Sequence, residues 1–498
     1  MALMGRGMGR VGCFILAMGC ALGLVGPVHA SVNLPLHHWA YESIERLTAM
    51  GIIDRAMVGP KPYSRKEAAM YVARALDRIR ANRFPVDDRE QVAEPLLVQL
   101  MDEFRVELKD LGTIARKRNE RTSTVRYGGI ANTEVDAFSV GGGQTVRFRE
   151  NRGGEYYVNA IQNQTDVRGW VEVGDWLAMQ AQPKFISNQH VLGIGVTNQS
   201  QNLYMREFSL KVSYFNIAVE AGRGTQWWGH GYHGSLLLTD HAFPLDMIKL
   251  GSDRSVRLPG ILEALGDWKV NTFLAKIATD GDDVKIATNG NDVQLFGLRI
   301  SYMPADWLEL SGTRLTMFGG NGRGQSFPGT VIDSWSSAPN QGGTNQVSEQ
   351  SMIDFRARIP KVPYLVPFPG GMQIYGELGS EDKWSQIPIP SRAAFLGGVY
   401  IPQIFPHDSQ DLRIEYADTD YTRRKTGYSG VWYNNSTFTN GMRNRGFPLG
   451  HHMGTDAIDF FVRTTRFLTP SIQVGTNFNI QERGRGQPVH ERKEEIGV

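Results

Sequence analysis

The run Leu295-Phe296-Gly297-Leu298-Arg299-Ile300-Ser301-Tyr302, followed by Pro304-Ala305-Asp306 and then Leu308-Glu309-Leu310-Ser311, decides the fold. Phe296, Leu298, Ile300 and Tyr302 fall on one face of an extended chain, and Leu295, Gly297, Arg299 and Ser301 on the other, a period of two that belongs to strands. The turn residues and the returning alternation of Leu308 and Leu310 with Glu309 and Ser311 make this an antiparallel hairpin. One face is apolar and ends in an aromatic; the opposite face is mainly polar.

Working outward, the same pattern recurs. Ile353, Phe355, Ala357 and Ile359 alternate with Asp354, Arg356 and Arg358, and Met372, Ile374, Gly376 and Leu378 with Gln373, Tyr375 and Glu377. Leu412, Ile414 and Tyr416 alternate with Arg413 and Glu415; Ile458, Phe460 and Val462 with Asp459 and Arg463; and Ile472, Val474, Phe478 and Ile480 with Gln473, Gly475, Asn477 and Asn479. A soluble sandwich would also alternate. Two features favour a membrane barrel: the polar face carries both charge signs strand after strand, as a lumen does, and the apolar rows are bounded by Trp, Tyr or Phe, as at a membrane interface. Short turns such as Gly174-Asp175 also alternate with long Gly/Asn/Ser/Gln-rich stretches such as Gly319 to Ser348. The expectation is an antiparallel outer-membrane β-barrel over residues 119–484, with strands in the mid-to-high teens. The charged run 485–498 reads as a disordered tail.

Residues 1–30 carry Arg6 and Arg10, an apolar run from Val11 to Val25, and Val28-His29-Ala30 before Ser31, the make-up of a secretory signal peptide. Cys13 and Cys20 both lie in that segment, so the mature chain would have no thiol for a disulfide, a metal or a nucleophile. A net charge of +2 gives no reason to expect a nucleic-acid partner. Residues 31–118 read as a helical domain, a candidate periplasmic plug. Tyr41, Ile44 and Leu47 line a first helix capped at Gly51; a second opens at Ser64 with Glu67 at capping-box spacing and buries Met70 or Tyr71, Ala75 and Ile79. A third is expected after Pro95, with Leu97, Leu100, Phe104, Leu108 and Leu111 in one stripe ending at Gly112. His38 to Ile44 together with Pro62 to Ala68 resembles half of an S-layer-homology module, a kind that can hold cell-wall polymers; a hairpin that packs against or plugs the barrel explains the same periodicity.

The segment Gly222-Arg223-Gly224-Thr225-Gln226-Trp227-Trp228-Gly229-His230-Gly231-Tyr232-His233-Gly234-Ser235-Leu236-Leu237-Leu238 resembles the signature of the Wzi-type capsule assembly family. Arg149-Glu150-Asn151 ahead of Tyr156-Tyr157, Gly376 to Asp382, and Arg445 to Asp456 agree with the same pattern. The resemblance implies a barrel of about eighteen strands closed on its periplasmic side by a helical domain. It also implies a surface lectin without a known reaction, which helps attach capsular or similar exported polysaccharide.

Sugar binding needs flat apolar faces for C–H-rich rings and polar groups for hydroxyls. Trp227, Trp228, Tyr232 and His233, with Arg223 beside them, supply both; a girdle or packing role inside the barrel mouth is the alternative for these aromatics. Arg443, Arg445, His451 and His452 are candidates for acidic sugars, with a solvated loop as the alternative. His230, His233 and His241 lack thiolate neighbours and helical i, i+4 spacing, so no metal or cofactor is expected. Glu377, Glu381 and Asp382 are the acids a glycosidase would need, but lumen acids are expected as partners for Arg356, Arg413 and Arg463, and no catalytic residue is assigned. The expected partners are the polysaccharide, outer-membrane lipid and lipopolysaccharide, and the barrel assembly machinery. A porin or polysaccharide-conducting channel is the alternative function.

Overall fold

The computed structural model describes residues 30–81, 89–116, 124–138, 146–158, 160–187, 203–257, 260–277, 293–320, 347–381, 393–420, 429–436, 438–469, 472–485 and 490–497. Apart from Ala30, the expected signal peptide lies outside them, as do Asp382 and most of the stretch from Gly319 to Ser348.

Seventeen strands form one sheet of barrel form. Val256–Arg257 pairs with the same neighbour as Leu245–Ser252 and continues its line, so among the described residues the seventeen make sixteen staves. That even number falls in the expected range, just under the eighteen that the resemblance implies. The deciding hairpin is Val293–Ala305 against Leu308–Gly319, with Leu295 opposite Met317 and Arg299 opposite Thr313. Its register puts Leu295, Arg299 and Ser301 fully inside, while Phe296, Leu298, Ile300 and Tyr302 are only half-buried. Elsewhere Tyr127, Ile130, Leu210, Ile248, Phe355 and Val474 stand exposed on the outer face of their strands. In water such a belt would be an aggregation surface; in hydrocarbon it matches its solvent, because paired strands satisfy their backbone polar groups in the ladder. Trp176 and Trp307 sit exposed at the tips of short turns, where amphipathic rings favour the interface.

Three predicted helices became four segments. Ala40–Ala49 ends at Gly51, whose φ of +74° is the left-handed cap the sequence called for. Arg65–Arg80 starts on Ser64, whose hydroxyl accepts from Glu67 N at 3.1 Å. The reciprocal half of the capping box is replaced, because the Glu67 carboxylate turns to Lys269 on the barrel wall at 2.6 Å. Tyr71 and Ala75 are buried as expected, but Ile79, in the last turn of the helix, is exposed. The third helix begins before Pro95, at Glu90, and breaks at Phe104 into Glu90–Glu103 and Arg105–Asp110. Leu97, Leu100, Phe104 and Leu108 still fill one apolar core with Ile44, Leu47, Tyr71 and Val72.

This helical domain is fixed to the inner wall around its circumference. Arg168 donates to Asn33 O at 2.7 Å, Arg356 to Ala56 O at 2.8 Å, and Arg413 to Glu45 at 2.9 Å, while Glu309 accepts from the Val58 and Gly59 amides. Ala30 N reaches Asp175 O and Arg55 reaches Asp306, both on short turns, so the domain enters from the short-turn end.

The charged tail is corrected. Glu491–Gly497 is a strand, antiparallel to Ile472–Arg483, with Lys493 opposite Gln481. An unpaired sheet edge inside a membrane leaves amides with no water to bond, and that cost outweighs the reluctance of charged residues to enter a strand. The charges compensate one another through Arg492 with Glu494 and Lys493 with Glu150.

Candidate functional site

The loop joining Ile217–Gly224 to Leu245–Ser252 carries the Trp-Trp signature and folds back into the barrel. Two wall carboxylates hold it. Glu377 accepts from His230 N at 2.8 Å, Gly231 N at 2.9 Å, Leu236 N at 2.8 Å and the Ser235 hydroxyl at 3.0 Å. Glu415 accepts from Tyr232 N at 2.7 Å and His233 N at 3.0 Å. The chain must coil tightly to aim so many amides at two acids, and a Cβ at Gly231 would meet Gly234 O at 1.9 Å. Both acids are thereby committed to the loop and not to the arginines expected as their partners; Arg356 pairs with Glu309 on the wall, and Arg413 and Arg463 with Glu45 and Glu42 of the helical domain.

Trp227 and Trp228 pair antiparallel with Lys61 and Pro60, joining the loop to the helical domain inside the barrel. Trp228 is 1% exposed and packs against Phe273, and Trp227 is 8% exposed. Both rings are buried, as the packing alternative expects. Tyr232 lies between the Arg413 and Arg463 guanidiniums and bonds Glu42 at 2.7 Å.

A second long loop, between Leu412–Asp418 and Ile458–Thr469, packs onto the first. Trp432, Tyr433, Phe438, Leu449 and Met453 join Leu236, Leu237 and Leu238 against inward Leu295, Leu315 and Met352 of the wall. Tyr433 donates to Leu236 O at 2.6 Å and accepts from His451 N at 2.7 Å. Arg443 is turned into this loop, donating to Asn434 Oδ1 at 2.7 Å. Burial drives the His451 imidazole down to about 4 and His452 well below its ordinary value, so both rings stand neutral at neutral pH. Burial alone would do the same to His233, but Asp459, 2.7 Å from Nδ1, and Glu150 outweigh it and raise that pKa.

Of the nine expected contact residues, two flank one ring, that of Phe243, with Arg223 on the outward face of its strand opposite Phe208. Arg445 is exposed with its guanidinium 3.7 Å from the Phe243 ring centre, and Arg223 lies 5.3 Å from the same centre while holding Asp246 through Nε and Nη2 at 2.7 and 2.9 Å. Phe243 was not legible as a site residue, because nothing in sequence joins position 243 to 445. The same holds for Glu150 and Asp459, which converge with His233, His451 and His452 from four separate segments.

The sequence profile described as "Capsule assembly protein Wzi" matches residues 129–498. An uncharacterized 55.8 kDa protein of the cps region of Klebsiella pneumoniae is 27% identical over 211 residues, 42% of this chain; the match spans about two fifths of that relative, 39% of its length. The structure of Wzi from Escherichia coli, described as an outer-membrane protein involved in group 1 capsule assembly and a carbohydrate-binding β-barrel, superposes with a TM-score of 0.64 over 91% of this chain and 86% of that one. At 17% identity that likeness concerns the fold. With a profile matching well over half of its length, the chain belongs to the Wzi capsule assembly protein family.

Proposed function

We propose that the protein is a non-catalytic polysaccharide-binding barrel of the outer membrane, which holds capsular or exported polysaccharide at the cell surface during capsule assembly. The observation that carries the reading is a lumen occupied from both ends: the helical domain ties its charges to the wall from the short-turn side, and two long loops pack a common apolar core from the other. A conducting pore keeps its lumen charges hydrated, whereas here Glu377, Glu415, Arg413 and Lys269 are spent on the plug. The porin reading therefore has no specific observation in its favour.

In this reading the short-turn end and the helical domain face the periplasm, the long loops face outward, and the apolar belt meets outer-membrane lipid and lipopolysaccharide after insertion by the barrel assembly machinery. The Arg223–Phe243–Arg445 stack is the contact for an acidic polymer: the ring supports the exposed Arg445 guanidinium, whose planar donors suit carboxylates. Binding of purified acidic polysaccharide to immobilised detergent-solubilised protein tests it. Arg445→Ala and Phe243→Ala should each weaken binding by roughly tenfold, the value of one charge-assisted contact. Affinity unchanged in both variants would remove the stack from the site.

A further inference from the structure

We propose that Glu150, His233 and His452 form a binding site for a divalent transition metal of the zinc class, which pins three outer loops together at the mouth of the barrel. Glu150 lies in the turn between Val146–Phe148 and Tyr156–Val158, His233 in the Trp-Trp loop and His452 in the loop before Ile458–Thr469. His233 Nε2 stands 3.8 Å from Glu150 Oε2 and His452 Nδ1 stands 3.6 Å from Glu150 Oε1, and the three donor atoms lie within 4.8 Å of one another. Ligands about 2.0–2.1 Å from a tetrahedral ion sit roughly 3.3 Å apart, so each histidine must draw in toward Glu150 by about half an ångström, and no pair of donors by more than about 1.5 Å.

The opposite nitrogens support the assignment. His233 Nδ1 is 2.7 Å from Asp459 Oδ2, and His452 Nε2, buried and without a hydrogen-bond partner, is 4.0 Å from the same oxygen. Asp459 thus holds the Nδ1 side of His233 and leaves Nε2, with its lone pair, for Glu150's side, while the Gln481 amide contact marks His452 Nδ1 as the nitrogen with the lone pair. This is the carboxylate–histidine–metal arrangement that fixes tautomer and ring orientation around zinc. Asn479 in turn holds Asp459 Oδ1. Two imidazoles and one carboxylate suit zinc, nickel or copper, whereas calcium and magnesium prefer oxygen throughout.

Lys493 Nζ sits 2.8 Å from Glu150 Oε1 and Arg483 lies 3.6 Å from it, so in the metal-free protein cations already balance Glu150. An incoming ion displaces the ammonium, and the Gln481 amide, 3.1 Å from His452 Nδ1, swings aside. This competition gives the site a signature that a purely structural cluster lacks.

The test uses untagged, full-length protein in detergent, stripped with chelator and titrated with zinc against a chromophoric chelator, with cobalt(II) absorption reporting coordination number. One ion per chain with a tetrahedral cobalt spectrum is expected. His233→Ala should lose at least tenfold in affinity, Asp459→Asn roughly 10- to 100-fold, and Lys493→Met should bind several-fold more tightly. Failure of the parent protein to bind near one equivalent, or unchanged affinity in either His233→Ala or Lys493→Met, overturns the assignment.

Discussion

Replacing Glu377 by alanine should release the Trp-Trp loop without dismantling the barrel. The carboxylate is the acceptor for His230 N, Gly231 N and Leu236 N, all in buried residues or tight turns, while Ser235 Oγ keeps a second bond to Trp228 O at 2.7 Å. Each buried amide left without an acceptor costs about 1–3 kcal/mol, so the loss is roughly 3–9 kcal/mol, concentrated in one segment. Local opening free energies run from near zero to the global stability, so a loss of that size takes the loop into the range where open forms are populated. Limited proteolysis and hydrogen exchange read it out: the variant should be cleaved and exchange within residues 225–244, while the strands on either side stay protected. Glu377→Gln, which keeps one acceptor oxygen, should fall between the two. Parent-like protection of the loop in Glu377→Ala would refute the argument that this acid holds the loop in place.

Trp228→Ala should lower stability by about 3–5 kcal/mol, as for a large buried aromatic, and leave polysaccharide affinity within twofold; a selective loss of affinity with stability unchanged would return the ring to the binding site. Lys269→Met removes one partner of the buried pair with Glu67, at 2.6 and 2.7 Å, and should cost about 3–5 kcal/mol of helical-domain docking; intermittent conductance in planar bilayers is the expected readout, and a silent, protease-resistant variant speaks against the plug. Acid should loosen the outer loops. His451 is held at about 4 and His241 at about 3 by burial, so the folded loops refuse protons that the unfolded chain accepts near 6.5. Their contribution is full above that pH and is lost as pH falls through the folded values, roughly 3 kcal/mol for His451, whereas His233 with its raised pKa runs the other way. Protease sensitivity of the outer loops should therefore rise between pH 7.5 and pH 4.5, and a flat profile would contradict the sign.

Much of this fold was legible because period-two alternation is a local property. The hairpin at Leu295–Ser311, the strands through Arg356, Glu377 and Asp459, and the Gly51 and Ser64 helix ends each follow from neighbours a few residues apart. What escaped depends on partners far away in the chain. Glu491–Gly497 is a strand because the edge of Ile472–Arg483 needs one, not because its own residues favour one. Trp227 and Trp228 look like a sugar platform until Pro60 and Lys61 are placed beside them. One available signal went unused: Leu295 lies on the otherwise polar face, and an apolar residue pointing into a lumen implies a plug to pack against, here Trp432 and its neighbours. The Phe243 stack and the Glu150–His233–His452 group gather residues from separate loops, which no spacing rule connects.

The central claim is tested most directly by titrating the detergent-solubilised, intact protein with the acidic polysaccharide of its own host and with an unrelated neutral polymer, alongside single-channel recording. The account predicts saturable, host-selective binding that Arg445→Ala weakens, with the lumen electrically silent. Absence of binding to either polymer together with steady conductance would contradict it and make the protein a channel.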